Sequence, residues 1–375
     1  SGPFPLPPAP PPPGEGRHAS RSRDFHTERP MIYPADKAVL RLAIGLGLAA
    51  AVAYGAALAL PYVVCLLAVL VLCKPGPPLP PLKGLATGVI LAGLVSAGVL
   101  MVPLLEHYAP AGVLLTGCIL YALFYLSRRK ASPLTLVLVV AFTLIPVAGV
   151  AEQGLVTPLA GALALGIVLG SLVGGISHAL FPDPPGAGPE KRPIPAVDRD
   201  TAHWIALRGT LVVLPMFVLA LTNPASYLAT IMKSVALGQQ AGTLDTRSAG
   251  RELVGSTLAG AAIALVVWFG LALHPTLWML VLWLAAAALW TGTRLYRVRP
   301  SAFPPSFWND ALVTAIIFFG PAIEDSASGK DVFAASAMRV SLFVALAFYA
   351  WAMVWLLERW RARRQNIPQP GEEPC

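Results

Sequence analysis

Charged residues are scarce in this sequence: Asp, Glu, Lys and Arg make up 12% of its 375 residues, whereas apolar residues make up 56%. A soluble globule of this size could not cover its surface with so few polar groups. The net charge is +8, but the Lys and Arg residues stand in short clusters between apolar runs. This pattern is typical of membrane topology and argues against a nucleic-acid-binding surface.

Motifs for catalysis and for metal binding are also missing. The sequence contains no Walker lysine loop, no HExxH, no GxSxG and no nucleophile–base pair, which argues against ATP hydrolysis and against intramembrane proteolysis of known pattern. The four cysteines show no CxxC or Cys/His spacing, so we interpret them as small hydrophobic residues. We therefore predict no catalytic residue, no metal, no cofactor and no enzymatic activity.

Long apolar runs are what the sequence has instead. A membrane span needs about 20 apolar residues, although a tilted or protein-enclosed helix can be shorter. The weakest runs are 61–73, which is short, and 224–240, which carries Lys233, Gln239 and Gln240. We predict an all-α polytopic membrane protein of about twelve helices, near 37–58, 61–73, 83–104, 109–127, 132–150, 155–181, 203–221, 224–240, 251–272, 275–293, 307–323 and 332–357.

The Lys and Arg residues orient these spans, because cytoplasmic loops concentrate cations. With twelve spans every second connection is basic, and omitting either weak span alone would invert the order beyond it. We predict a multi-pass protein of the inner membrane with both termini in the cytoplasm. The basic clusters are Lys74 and Lys83; Arg128, Arg129 and Lys130; Lys191, Arg192 and Arg199; Arg247 and Arg251; Arg294, Arg297 and Arg299; and Arg359, Arg361, Arg363 and Arg364.

The first apolar run is too long for a cleavable signal peptide, so we expect it to stay in the membrane. The polar, proline-rich residues before it could not pack a core. The predicted organisation is a disordered cytoplasmic tail at 1–36, a transmembrane repeat at 37–182, a cytoplasmic linker at 183–202, a second transmembrane repeat at 203–358 and a basic cytoplasmic tail at 359–375.

The two halves resemble one another at an offset of about 165 to 175 residues. The segments at 37–50 and 202–215 align Arg41 with Arg208. Six spans per half is an even number, so the repeats are predicted to be parallel and related by an axis along the membrane normal. Duplication favours a pathway between the halves, and a duplicated structural bundle is the alternative. Further matches are Pro61 with Pro224, Gly84 and Gly88 with Ser256 and Gly260, and Pro146 with Pro321.

Four cations fall inside the predicted spans, where an ionisable group is costly enough to be a functional candidate. They are Arg41, Arg208, Lys233 and Arg339. Arg41 and Arg208 lie about one turn inside their spans, so either alone could reach water by extending its side chain, but their matched placement favours a shared role. A pathway lined by these cations would attract anions.

Three carboxylates are candidates for proton coupling: Asp310 near one end of the eleventh span, and Glu324 with Asp325 at its other end. A carboxylate in a membrane pathway can relay protons. The structural alternative is that these acids pair with Arg339 or another buried cation, and the sequence leaves both interpretations open.

These parts resemble the fusaric acid resistance, or aromatic acid exporter, superfamily. The resemblance covers residues 37 to about 358 and rests on the two six-span halves, on an Arg in the first span of each (LRLAIGLGLAA and LRGTLVV), on the small-residue motif of the third spans (GLATGVILAG and LVGSTLAGAAIA) and on the basic loop before each fifth span. Typical members carry a large soluble region after the first half. Here only a short linker joins the halves, so the chain resembles a compact branch.

The resemblance implies a proton-driven exporter of small organic anions, aromatic carboxylates above all, that works with a periplasmic membrane-fusion adaptor protein. By analogy with plant malate channels of similar architecture, the chain would be a covalent pseudo-dimer with its pathway between the halves. A passive anion channel and a non-transporting membrane scaffold are the alternatives. The expected partners are the lipid bilayer, the anion, the adaptor and, as an open alternative, a second copy of the chain.

Overall fold

The structure is a computed structural model that describes residues 34–73, 81–130, 133–183, 198–241, 246–329 and 331–365. Within these residues the chain forms α-helices joined by short connections and contains no β-strand. The helices are α1 Pro34–Gly55, α2 Pro61–Leu72, α3 Pro81–Val99, α4 Met101–His107, α5 Ala109–Lys130, α6 Pro133–Ala151, α7 Val156–Leu180, α8 Arg199–Thr222, α9 Pro224–Ala241, α10 Thr246–Leu273, α11 Leu277–Leu295, α12 Pro305–Ala327 and α13 Val332–Gln365.

Eight helices of the described part are long and apolar enough to cross a bilayer: α1, α5, α7, α8, α10, α11, α12 and α13. Shorter apolar helices lie between them, at Pro61–Leu72, Ala97–His107 and Val137–Ala151. Only helices and closed barrels satisfy all backbone polar groups within lipid. The chain is therefore an all-helical, multi-pass membrane protein.

Proline marks the start of many of these helices. Six of the described helices, α1, α2, α3, α6, α9 and α12, have Pro as their first residue. A proline suits this position because its missing N–H has no intrahelical acceptor there and its fixed φ matches the helix. Pro146, Pro215 and Pro321 lie instead inside α6, α8 and α12, which continue through them.

The two weak runs of the sequence, at 61–73 and 224–240, form the helices α2 and α9. Both are enclosed by protein: every residue of α2 from Tyr62 to Val69 is buried, and so is Lys233 within α9. A helix surrounded by other helices need not present an apolar surface to lipid over the full bilayer thickness. Burial thus explains why α2 is short and why α9 contains polar residues.

The predicted single span at 83–104 is wrong, because the structure divides it. Helix α3 ends at Val99 and α4 begins at Met101. Pro103 has no N–H to donate to the carbonyl of Val99, and its ring collides with that carbonyl in a continuous helix. The interruption one turn before Pro103 follows from this geometry.

The helix contacts can be grouped into two sets, each of which includes contacts between the first and the second half of the chain. In the first set of contacts α1 packs on α11, α12 on α2, and α10 on both α12 and α13. In the second set α8 packs on α5, α6 on α9, and α3 on both α6 and α7. The remaining contacts include α2 with α7, α9 with α13, α1 with α2, and α8 with α9. Helices α2, α6, α9 and α12 thereby meet at the boundary between the halves.

Several predictions concern segments outside the described residues. These are most of the tail at 1–36, most of the linker at 183–202 with Lys191 and Arg192, the end of the tail at 359–375, and the loop residues Lys74 and Lys330.

Candidate functional site

A charged hydrogen-bond network lies inside the second half of the chain. Lys233 on α9 is 0% exposed, and its Nζ donates to Asp310 Oδ2 at 2.8 Å and to Thr314 Oγ1 at 2.6 Å. Ser256 on α10 donates its hydroxyl to the same Asp310 oxygen at 2.6 Å. The Thr314 hydroxyl donates to the backbone carbonyl of Asp310, also at 2.6 Å. Two opposite charges are thus buried together with their polar partners.

The spacing along α12 brings this network together. Asp310 and Thr314 are four residues apart, which places them one above the other on one helix face. Gly260 then lets α10 approach that face, since a Cβ built on Gly260 would lie 2.7 Å from the backbone oxygen of Ala311 and 2.5 Å from Thr314 Cβ. A close contact of this kind requires glycine. The glycine is therefore what allows Ser256 to reach Asp310.

A cavity of about 230 Å³ opens beside the network. Its walls come from α2, α6, α9 and α12, so it lies between the two halves of the chain. Asp310 is part of the wall and is 6% exposed. The other lining residues are Leu66, Leu70, Val140, Met232, Val235, Ala236, Gln239, Gln240, Ser306, Asn309, Val313 and Ile317.

The cavity is divided into an apolar part and a polar part. Gln239 and Gln240 stand at the end of α9, and Ser306, Asn309 and Asp310 stand in the first two turns of α12. The remaining wall is aliphatic apart from the Met232 thioether. A binding site built in this way suits a compact molecule with one polar end.

Arg41 forms an ion pair with the end of the first half. Its guanidinium binds the carboxylate of Asp183 and also lies 2.8 Å from His178 Nδ1. Lys37, one turn earlier, donates to the carbonyl of Pro182 at 2.8 Å. Together these contacts fasten the beginning of α1 to the end of α7.

Arg208 forms an ion pair in the second half of the chain. Its Nη1 donates to Glu358 Oε1 at 2.7 Å, and the Trp204 indole donates to the same oxygen at 3.2 Å. These contacts fasten the beginning of α8 to α13. Arg41 thus joins α1 to the residues that follow α7, and Arg208 joins α8 to α13.

We expect Arg41→Gln and Arg208→Gln to destabilise the protein by similar amounts. Both pairs are partly exposed, with side-chain exposures of 15% and 32% for Arg41 and Asp183 and of 6% and 30% for Arg208 and Glu358. The expected loss of unfolding free energy is therefore about 1–3 kcal/mol, between the values for exposed and buried pairs. The measurement is thermal unfolding in detergent, with the exposed Arg363→Gln as the control.

A double variant identifies the cause. If the pair is what matters, Arg41→Gln combined with Asp183→Asn loses less stability than the two single changes added together. Lost transport at unchanged stability would instead favour the pathway role predicted for Arg41 and Arg208.

Arg339 lies at the opposite end of α12 from Asp310 and binds the carboxylate of Asp325. Glu324 is next to this pair and is exposed. On the other side of α12, Gly320 lies against Tyr62 of α2, so close that an added Cβ would be 2.2 Å from the Tyr62 Cβ. The Arg339 pair thus fixes the beginning of α13 next to a tight contact between the halves.

The structure brings four of the seven residues predicted for the site together as two separate pairs, Lys233 with Asp310 and Arg339 with Asp325, and only the first pair lies beside the cavity. Arg41, Arg208 and Arg339 each lie in a separate ion pair, and their role in a pathway stays a prediction. Sequence reasoning missed Asp183, Glu358, Ser256 and Thr314 as partners. The sequence contained one signal for two of these partners. Asp183 and Glu358 are 175 residues apart, which is the same offset that separates Pro146 from Pro321 in the predicted repeats.

Comparison with known proteins gives one match. A family model described as "Protein of unknown function (DUF2955)", a membrane-protein family, matches residues 38–174. The matched segment runs from α1 into α7 and so covers most of the first half. No curated protein and no solved structure matches the chain.

Proposed function

We propose that the protein transports small organic anions, aromatic carboxylates above all, through the cavity between its halves. The observation that supports this most is the cavity itself, in which an aliphatic wall meets a polar end beside the buried Lys233–Asp310 pair. A single-ring acid has the same division into an apolar body and a polar end. The role of exporter and the membrane-fusion adaptor remain part of the proposal, as the resemblance to the aromatic acid exporters implies them.

The size of the cavity supports a small substrate. About 230 Å³ corresponds to roughly eight water molecules at about 30 Å³ each. Pockets for drug-sized ligands have volumes of about 300–1,000 Å³. We therefore expect single-ring acids such as benzoate to be carried in preference to acids with two fused rings.

The helix packing supports two six-span repeats as part of this proposal. If α1, α2, α3 with α4, α5, α6 and α7 correspond in order to α8, α9, α10, α11, α12 and α13, then each main contact has a partner. The contact α1–α11 corresponds to α8–α5, α12–α2 to α6–α9, and α10–α12 to α3–α6. The cavity then lies at the axis that relates the repeats, where transporters of repeated architecture bind substrate.

Reporter fusions test the proposed orientation. A reporter that is active only in the periplasm should be active after Glu152 and silent after Arg297, because the connection at Arg297 belongs to a basic cluster and the connection at Glu152 carries no cation. The opposite result at either position would mean that the number of spans is not twelve.

A flux measurement tests transport. Purified protein in liposomes should carry radiolabelled benzoate down an imposed gradient faster than protein-free liposomes do. Ala236→Phe should reduce this flux to the protein-free level, because Ala236 lines the cavity and the added ring would fill it. The control is Ala352→Phe, the same change at an exposed position of α13.

The outcomes separate the candidate functions. Wild-type liposomes with no flux for benzoate or other small carboxylates would leave the scaffold as the remaining function. Equal loss in Ala236→Phe and Ala352→Phe would place the pathway elsewhere. Accumulation of benzoate against its gradient, abolished by a protonophore, would favour a coupled transporter over a channel.

A further inference from the structure

The buried network contains one positive and one negative charge, so an anion that enters the cavity finds its counter-charge already occupied. Lys233 is bound to Asp310 behind the wall, and the part of the cavity wall that the structure describes contains no cation of its own. Bringing an unpaired anion into an apolar site costs several kcal/mol or more. A carboxylate substrate can therefore bind Lys233 only if the charge of Asp310 is removed.

We propose that the substrate carboxylate and the carboxylate of Asp310 alternate as partners of Lys233, so that each anion binds together with one proton on Asp310. This inference rests on the proposed function, and it adds that one proton is bound with each substrate anion. The proton comes from a hydronium ion or a buffer acid at the entrance: an O–H bond of hydronium breaks and leaves water, and an O–H bond forms on Asp310.

The hydroxyl groups around Asp310 suit both states of this exchange. In the state described here Ser256 donates to Asp310 Oδ2, and the same hydroxyl lies 3.3 Å from the carbonyl of Leu253. A hydroxyl can donate and accept at the same time. After proton uptake, Asp310 can donate to Ser256 while Ser256 donates to Leu253, so the protonated acid keeps a hydrogen-bond partner.

The cavity wall also offers partners to the incoming anion. An ammonium group has three N–H donors, and among the described residues Lys233 contacts the oxygens of Asp310 and Thr314 only. The side-chain oxygen of Asn309, on the same wall, is buried and has no hydrogen-bond partner in the described part of the chain; as an acceptor it suits an O–H or N–H group, such as a hydroxyl of the substrate, and not the carboxylate itself. The site thus keeps hydrogen-bonding capacity that its own residues do not use.

Among the residues that line the described cavity wall, Asp310 is the one carboxylate, and the buried carboxylate of Glu252 lies behind the wall, beside Ser306. Helices α2 and α6 contribute only aliphatic side chains to the described wall. The charged groups on the helices around this region include Lys233 on α9, Arg294 on α11 stacked on Trp308, Arg339 on α13 bound to Asp325, and Arg208 on α8 held by Glu358. Helix α10 carries Glu252 beside Ser306 and Arg251 over Phe303.

A consequence for energetics is that the loaded site has the same net charge as the empty one. The substrate crosses as an anion plus a proton, so the membrane potential does no work on the cargo. This coupling has the sign of symport, opposite to the antiport in which an entering proton drives an anion out. The acid would leave the cell down its own gradient.

Binding calorimetry on the full-length protein in detergent tests the exchange, with benzoate as the probe. Titrations in two buffers of different ionisation enthalpy count the protons taken up. We expect about one proton per benzoate bound, and an apparent Kd that increases about tenfold per pH unit over the range in which binding takes up one proton.

Variants separate exchange from a purely structural pair. Asp310→Asn should bind benzoate without proton uptake and without the pH dependence, and benzoate should raise its Tm more than that of the wild type, because the anion neutralises a stranded Lys233. The matched control is Glu252→Gln, which should keep the proton uptake. Flux of benzoate together with binding that takes up no proton overturns the exchange and leaves the proposed function standing. No benzoate binding to either wild type or Asp310→Asn overturns both.

Discussion

Lys233→Gln alone is expected to reduce the yield of folded protein more than any other single change of a charged residue in the described part of the chain. Lys233 is fully buried and Asp310 nearly so. Removing one partner of a buried ion pair leaves the other charge uncompensated, which costs about 3–5 kcal/mol. The measurements are the amount of monodisperse protein after detergent extraction and its Tm.

The double variant Lys233→Gln/Asp310→Asn should recover much of the lost yield, because two neutral amides can hydrogen-bond to each other in place of the ion pair. It should nevertheless carry no benzoate, since no charge remains to bind a carboxylate. Recovery of flux together with yield would show that the pair is structural and that the anion binds elsewhere. A single Lys233→Gln variant with normal yield and Tm would contradict the burial of this pair.

Gly260→Ala is expected to have the second large effect. The added Cβ would lie 2.7 Å from a backbone oxygen of α12, and backbone atoms cannot move aside without shifting the helix. Overpacking of this kind costs about 1–3 kcal/mol or more, and separation of α10 from α12 would also lengthen the Ser256–Asp310 hydrogen bond. We expect a lower Tm and a lower benzoate flux.

Gly161→Ala is the matched control, because a Cβ on this glycine of α7 meets no atom within 4 Å. Alanine has the higher helix propensity, so this variant should be at least as stable as the wild type. Equal losses in both variants would mean that helix geometry, rather than the close contact between α10 and α12, determines the effect.

The general class of the fold was predictable from the sequence, because apolar runs and cation clusters depend on the bilayer and not on packing. The division of 83–104 into α3 and α4 was missed, although Pro103 was visible. The helices continue through Pro146, Pro215 and Pro321. Whether a proline inside a span interrupts its helix therefore depends on the surrounding structure. Local sequence therefore gives the class of the fold but not each helix boundary.

The site was predictable in part for a similar reason. Lys233 and Asp310 stand out because ionisable residues are rare in membrane spans, whereas Ser256 and Thr314 are ordinary helix residues in such a sequence. Their role depends on how α10 and α12 approach each other, which is a long-range contact. Asp183 fell on the first residue of the predicted linker, so its pairing with Arg41 could not be recognised from span boundaries alone.

The length of α13 has a practical consequence. Its 34 residues extend about 51 Å at 1.5 Å per residue, whereas the hydrocarbon core is about 30 Å thick, so the helix is longer than the core it would cross. Trp360 stacks on Trp204 with ring centroids 5.9 Å apart, and Arg361 lies over the same ring. These two contacts hold the C-terminal end of α13 against α8. A rigid helical protein fused in register after Gln365 would add alignment mass for electron cryomicroscopy of a 39.4 kDa chain.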